Sequence, residues 1–372
     1  MINPSIKAKI QNFLRKKTRL LLLFLLTVLL LFSRDYILQW TVPNPENSQR
    51  PQVGITFIHI NAESLKLDWK KTFRELVNDL GFAYVRVPVF WDQIESAPGK
   101  FYWDDLDWQM EESAKAKAKV LLVVGHRVPR YPECYAPAWT KTLNEAEFKQ
   151  VLFKMIEATI EHFKTSPALE GWQIENEPQA KILGKIWGEN CRDVLPLLKD
   201  EIKLVKAIDP VRPTVVSFAF TPWMASQLNT TLEFNSDIAG LTVFNKLFFR
   251  SPIFNGYVEM FRLGLIAPLR LAYQKKVAAD RGKKFWVVEL QAEPWGPKGP
   301  YEFDYPGEAE ESMNATLLKE TWTRVTEAGI SRIYLWGAEW WLSERQKGNS
   351  AMLETVQSLL KLPPNDLPKL RS

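Results

Sequence analysis

From residue 53 onward the chain alternates short β-rich runs with amphipathic stretches. Strands are expected at 53–59, 82–89, 119–125, 170–175, 213–220, 238–244, 284–290 and 331–336. Several of these, KVLLVVG at 119–125 among them, are nearly continuous apolar runs. Such runs suit parallel strands buried on both faces, whereas a half-exposed strand alternates. Between the strands the period changes to that of a helix. In 65–80 the residues Leu65, Trp69, Phe73, Leu76, Val77 and Leu80 recur at three- and four-residue spacing, and Gly81 follows as a C-cap. The helix expected over 142–164 opens with Thr142 and Glu145 at the spacing of a capping box. Further helices are expected at 104–118, 192–208, 222–233, 258–281, 308–328 and 350–361, and Gly282 and Gly329 stand where two of them must end. Eight strands alternating with about eight helices predict an α/β chain folded as a (β/α)8 TIM barrel. A doubly wound open sheet is the structural rival.

The first 40 residues follow a different pattern. Residues 1–20 carry six bases (Lys7, Lys9, Arg15, Lys16, Lys17, Arg19) and no acid, and an apolar run with one Thr follows from 20 to 32. Those residues would span about 20 Å as a helix, short of a hydrocarbon core of roughly 30 Å. No small-residue cleavage site follows, and Tyr36, Ile37, Leu38 and Trp40 extend the segment toward the far interface. An N-terminal transmembrane signal-anchor helix is therefore preferred over a cleaved signal peptide. The expected organisation is a basic cytoplasmic tail (1–19), the anchor (20–40), a Pro-rich linker (41–52) and an extracytoplasmic barrel (53–372).

Location of charge changes what the composition means. The chain has 372 residues, with 48 Lys and Arg against 43 Asp and Glu, a net charge of +5. The six N-terminal bases account for that excess, so the remainder is near neutral and nucleic-acid binding loses its support. No HExxH, paired-Cys zinc spacing or phosphate-cradling Gly-rich loop occurs, so neither cofactor nor catalytic metal is expected. The only cysteines are Cys134 and Cys191.

In a barrel, chemistry belongs at the C-terminal strand ends, where the βα loops share one cavity. The fourth expected strand runs into Glu175-Asn176-Glu177-Pro178, and the seventh ends in Val287-Val288-Glu289. Two carboxyl groups at one mouth meet the needs of glycoside cleavage, with one protonating the leaving oxygen and the other attacking or stabilising the anomeric carbon. Arg86 is a charge inside an apolar strand, costly unless paired, and Glu289 is a natural partner. Glu293, four residues beyond Glu289, is the rival nucleophile, and Glu175 a supporting acid. Fifteen tryptophans are many for this length. Trp91, Trp295, Trp336 and Trp340 are expected sugar platforms, with core packing as the alternative. His126, at the end of the third strand, is a further sugar-contact candidate.

Asn176-Glu177-Pro178 with Glu289 resembles glycoside hydrolase clan A, which includes family 5 cellulases and mannanases and families 39 and 42. The resemblance extends to Arg86 in Val85-Arg86-Val87-Pro88 and to the segment from Phe90-Trp91 through Ile94-Glu95, Pro98-Gly99, Phe101-Tyr102-Trp103 and Leu106-Asp107, and it covers about residues 53–345. It implies a retaining O-glycosyl hydrolase of β-linked glycans, with Glu177 as acid/base, Glu289 as nucleophile and Asn176 on the sugar. One departure is plain: members usually carry Tyr or His after strand six, where this chain has Val243-Phe244-Asn245-Lys246. Asn245, or a tyrosine from the 246–260 loop, is expected to substitute. The mapping places Cys134 and Cys191 in neighbouring loops of the catalytic face, which makes a Cys134–Cys191 disulfide the expected pairing. The expected partners are an oligo- or polysaccharide and, through the anchor, a membrane; the chain is expected to act as a monomer. A catalytically weak barrel that only binds surface carbohydrate is the competing function.

Overall fold

The computed structural model describes residues 50–179, 191–219, 224–251, 254–260 and 268–361. The strands in chain order are β1 (Gln52–Thr56), β2 (Tyr84–Pro88), β3 (Lys119–Val124), β4 (Leu169–Ile174), β5 (Thr214–Ala219), β6 (Ile238–Val243), β7 (Lys246–Ser251), β8 (Phe254–Glu259), β9 (Lys284–Gln291) and β10 (Arg332–Trp336). Eight of them close into a parallel barrel in the order β1-β10-β9-β6-β5-β4-β3-β2. Closure rests on β1 pairing with β10, from Gln52 opposite Arg332 to Ile55 opposite Leu335. An open sheet would leave those edges unpaired.

Burial on both faces explains the continuous apolar runs. Outward residues such as Val85, Val87, Leu122, Ile174 and Leu241 pack under the helices together with Leu152, Ile156 and Val205. Inward residues Leu121, Val215, Ile238, Trp286, Val288 and Tyr334 fill the barrel interior. Each such side chain contributes about 1.5–3 kcal/mol on full burial. Ile58, Phe90, Val123, Val128 and Trp336 form a separate apolar cluster, flanked by Tyr135, Phe244 and Trp295.

One irregularity in the sheet positions the site. Between β6 and β9 the register passes from Leu241–Val287 to Thr242–Glu289, and between β10 and β9 from Ile333–Val287 to Leu335–Leu290. β9 therefore carries one extra residue, a bulge that shifts the alternation of its side chains by one. Val288 and Glu289 consequently both turn inward, the first into the interior cluster and the second onto Arg86, while Leu290 returns to the helix side.

Several elements differ from the expectation. The helix expected at 258–281 comprises Pro268–Asp280, and its first residues instead belong to β8, which pairs antiparallel with β7 through Phe248–Tyr257 and Leu247–Val258. Alternation outweighs helical spacing there, and proline suits a helix start. The 65–80 helix begins only at Trp69, as Trp69–Arg74 running on into a π-helical turn Glu75–Asp79, and a separate short helix His59–Ser64 precedes it. The long helix after β3 begins at Glu145, and its capping box is Asn144 with Glu147; Thr142 instead closes a short 3-10 turn. The 308–328 helix breaks at Asn314, whose side chain caps Leu317. A helix Ala338–Gln346 was not expected from the sequence. Among the described residues no helix is long and apolar enough to cross a membrane. The expected tail and anchor, and the linker up to residue 49, lie outside the described residues.

Candidate functional site

The chain leaving β4 is bent sharply. Glu175 and Glu177 both adopt left-handed backbone conformations, φ 60° and 45°. A residue with a Cβ adopts this region at a cost of roughly 1–2 kcal/mol, so the surroundings must hold it there. They do. The Glu175 carboxylate accepts the backbone N–H groups of His126 and Arg127 at 2.7 and 2.6 Å, and the Glu177 N–H donates to Ser217 Oγ at 2.9 Å. Gly125 makes this possible, because a Cβ there would stand 2.4 Å from the Glu175 carboxylate.

Arg86, from β2, is fully buried and joins the two sides of the barrel. Its Nη1 donates to Glu289 at 2.7 Å, its Nε to Gln173 at 2.8 Å and its Nη2 to Asn176 Oδ1 at 2.8 Å. A buried guanidinium needs such compensation, and in return it fixes the carboxylate it touches. Among the described residues Glu177 has no ion-pair partner, and only Thr242 and the more distant Arg127 favour its charged form. Burial raises its pKa first, the neighbouring charges of Glu133 and Glu289 add to that, and it is pushed up to about 8. Burial also raises Glu289, to about 7, but there Arg86 opposes the shift. Arginine pairing favours the ionised form of Glu289, while burial and the neighbouring carboxylates favour the protonated form of Glu177, an environment that separates an acid from a base.

Glu293 is placed differently. It is completely buried and accepts from Trp336 Nε1 at 2.7 Å, Trp295 Nε1 at 3.1 Å, Arg130 Nη1 at 3.3 Å and the Tyr301 hydroxyl. Both oxygens are used in locking tryptophans and a loop, so Glu293 acts as a brace. Trp336 and Trp295 are held by it beside Phe244, with ring centroids 6.2 and 5.4 Å away. Trp295, Phe244 and Tyr135 are half-buried and flank the same cluster.

Three further candidates do not join this group. Trp91 is fully buried between Trp139 and Phe148 and donates to Glu95 at 2.6 Å, so it packs the core where a sugar platform was expected. His126 is buried against Phe148 and its Nε2 accepts the Arg192 N–H at 3.1 Å, so it braces the loop where a sugar contact was expected. Asn245 is buried at the β6 exit and donates to Thr321 Oγ1 on the outer helix Ala315–Glu327. The Tyr257 hydroxyl donates to the Trp295 carbonyl. The departure after strand six is thus built into the scaffold, and Arg86 is the hydrogen-bond donor on Glu289. Trp340 is buried behind the site, lining a separate cleft with Tyr301 and Met313.

The expected Cys134–Cys191 disulfide is present, with Cys134 in the loop after β3, whereas the charged residues of that loop were not expected from the sequence. Cys134 and Cys191 are joined by a disulfide with Cα atoms 5.3 Å apart, and Arg127 forms a β-bridge with Cys134. From this loop Arg127 donates to the Glu177 carbonyl at 2.9 Å and to Glu133 at 2.6 Å, while Arg130 reaches Glu293. The signal was three charged residues, Arg127, Arg130 and Glu133, directly after an apolar strand. The candidate metal ligands His126, Cys134 and Cys191 lie within 4.8 Å of one another, but both sulfurs are committed to the disulfide.

No protein-family model and no curated protein matches the sequence. Solved structures do match in fold. A GH5_18 protein from Streptomyces cattleya, in complex with GlcNAc, superposes with a TM-score of 0.53 at 13% identity, covering 85% of this chain and 82% of that one. A GH5_18 protein from Bifidobacterium longum subsp. infantis gives 0.54 at 13% identity, covering 77% and 69%. A GH5_18 variant from Bifidobacterium longum subsp. longum, in complex with Manβ1-4GlcNAc, gives 0.53 at 11% identity, also covering 77% and 69%. At these identities the likeness is one of fold, a closed (β/α)8 barrel.

Proposed function

We propose that this chain is an O-glycosyl hydrolase that cleaves β-linked glycans by double displacement, with Glu177 as acid/base and Glu289 as nucleophile. The observation that carries this reading is the asymmetry of the pair: Arg86 donates to Glu289 at 2.7 Å, while Glu177 faces two other carboxylates and keeps its proton. In the first step Glu289 attacks the anomeric carbon as Glu177 gives its proton to the departing oxygen. A glycosyl ester on Glu289 results, and Glu177 is left ionised. In the second step Glu177 takes a proton from water, and the hydroxide equivalent displaces Glu289. Once Glu289 is esterified its charge no longer acts on Glu177, so Glu177 becomes more acidic at the stage where it must serve as a base.

Asn176 is assigned to the sugar beside the scissile bond, with Arg86 buried behind it on Glu289 where a sugar contact was expected, and Trp336, Trp295, Phe244 and Tyr135 supply aromatic faces for it. The reading extends to localisation: residues 1–19 stay cytoplasmic, 20–40 anchor the chain, and the barrel works outside the membrane as a monomer. A panel of chromogenic β-glycosides and polysaccharides, offered to protein beginning near residue 45, tests the activity. Turnover of at least one substrate is expected, with a loss of about 10²–10⁴-fold in Glu177→Gln on substrates that need protonation. Wild-type rates in Glu289→Gln would refute the assignment.

A further inference from the structure

A third carboxylate stands beside the proposed pair. Glu133 comes from the loop after β3, is only 6% exposed, and holds a left-handed backbone conformation at φ 69°. In the same loop Arg130 is also left-handed, at φ 118°. Strained, buried, charged residues persist only where the structure overdetermines them, and they concentrate at functional sites. Here the loop is closed by the Arg127–Cys134 bridge, by the Val128 N–H to the Glu133 carbonyl at 3.0 Å, and by the disulfide next door at Cys134. One oxygen of Glu133 accepts from Arg127 Nη2 at 2.6 Å, and the other accepts from Asn176 Nδ2 at 3.3 Å. Asn176 in turn is held by Arg86, which holds Glu289.

We infer that Glu133 is a positioning residue of this site: its carboxylate fixes the amide of Asn176 and the Arg127 guanidinium that holds the Glu177 backbone, and it sets a third acidic group beside the pair. The inference rests on the glycosidase reading of the pair. The charges around Glu133 are Arg127 from its own loop, Arg86 from β2, Glu175 and Glu177 from the β4 exit, and Glu289 from β9, with Arg130 and Glu293 paired beyond. Burial raises the pKa of Glu133 and Arg127 at 2.6 Å opposes that shift; the charge Glu133 carries when ionised weighs on both members of the pair. A carboxylate without an arginine of its own cannot release a proton easily next to that charge. Glu177 is in this situation, and Glu289 is not.

The test is the pH profile of kcat/KM of the protein on a β-glycoside it turns over, for wild type and Glu133→Gln. Removing the charge should move both limbs toward lower pH, by about one unit for the alkaline limb, which follows Glu177. A uniform fall in rate with both limbs in place would overturn the inference. Carboxyl NMR of protein labelled at the glutamate side-chain carbons gives a second readout that needs neither turnover nor a folded Glu133→Gln variant. Glu133→Asp deletes the Glu133 signal while keeping its charge, and Glu177→Gln deletes that of Glu177, which assigns both. In wild type, Glu133 should ionise at lower pH than Glu177; the reverse order would end the proposal. Absence of turnover together with the expected NMR order would reject the glycosidase reading and leave the electrostatic role of Glu133 intact.

Discussion

At the scale of single residues, the distribution of arginines separates the buried carboxyl groups by role. Glu289 is paired with Arg86 and Glu293 is saturated by four donors, whereas among the described residues Glu177 has no ion-pair partner. Glu201 is a different case. It lies inside the helix Leu198–Ile208, fully buried, and among the described residues neither of its oxygens has a hydrogen-bond partner. Burial, then the charge of Glu175, raises its pKa well above the ordinary range. Folded protein thus retains a proton that the unfolded chain gives up near pH 4.5, so this contribution to stability is present in acid and lost as pH rises through the folded value. Glu201→Met keeps the length and removes the charge. Its unfolding free energy from denaturant titration should exceed that of wild type at pH 9, by about 1–3 kcal/mol for an unsatisfied buried group, with a smaller difference at pH 5. An equal difference at both pH values would show that ionisation plays no part.

At the scale of elements, function depends on departures from regularity that the residue pattern does not announce. The run Phe285 to Leu290 reads as one buried strand. The bulge within it, which turns Glu289 inward, arises from the register against β6 and β10. Motif resemblance therefore located Glu289 where periodicity alone would have pointed it outward. The β7–β8 hairpin was legible in principle from the aromatics Phe248 and Tyr257 that face each other across it, but apolar spacing farther along masked it. The loop after β3 has neither period, since its conformation is set by contacts with residues about 40 to 160 positions away. Gly125 is its hinge point, with φ at 136° and the Glu175 carboxylate occupying the space of a side chain. Gly125→Ala should displace Glu175, lower stability by about 1–3 kcal/mol and reduce turnover with it. Gly81→Ala is the control: φ is also positive, at 71°, but nothing lies within 4 Å, so activity should stay at the wild-type level with a smaller loss of stability. Equal effects of the two substitutions on turnover would show that the Glu175 contact is irrelevant to the site.

At the scale of the whole molecule, eight strands and their order were legible because burial on both faces leaves a continuous apolar signature, and closure follows once β1 meets β10. Asn176, Glu177 and Arg86 were legible as polar residues in places where an apolar strand would not otherwise tolerate them. Trp91 and His126 were not, since an aromatic that packs the core and one that binds a sugar look alike in sequence. The barrel brings a β2 arginine, the β4 exit, a β3 loop and a bulged β9 to one mouth, and the proposed double displacement requires all four. That mechanism passes through a covalent glycosyl ester on one particular carboxylate. A panel of 2-deoxy-2-fluoro-β-glycosyl donors with an activated leaving group would trap it, because the fluorine slows breakdown of the ester while the leaving group lets it form. Peptide mass mapping should find the added sugar on Glu289 in wild type and on no residue in Glu289→Gln. A label on Glu293, or release of the leaving group by wild type with no ester formed on any residue, would contradict the account.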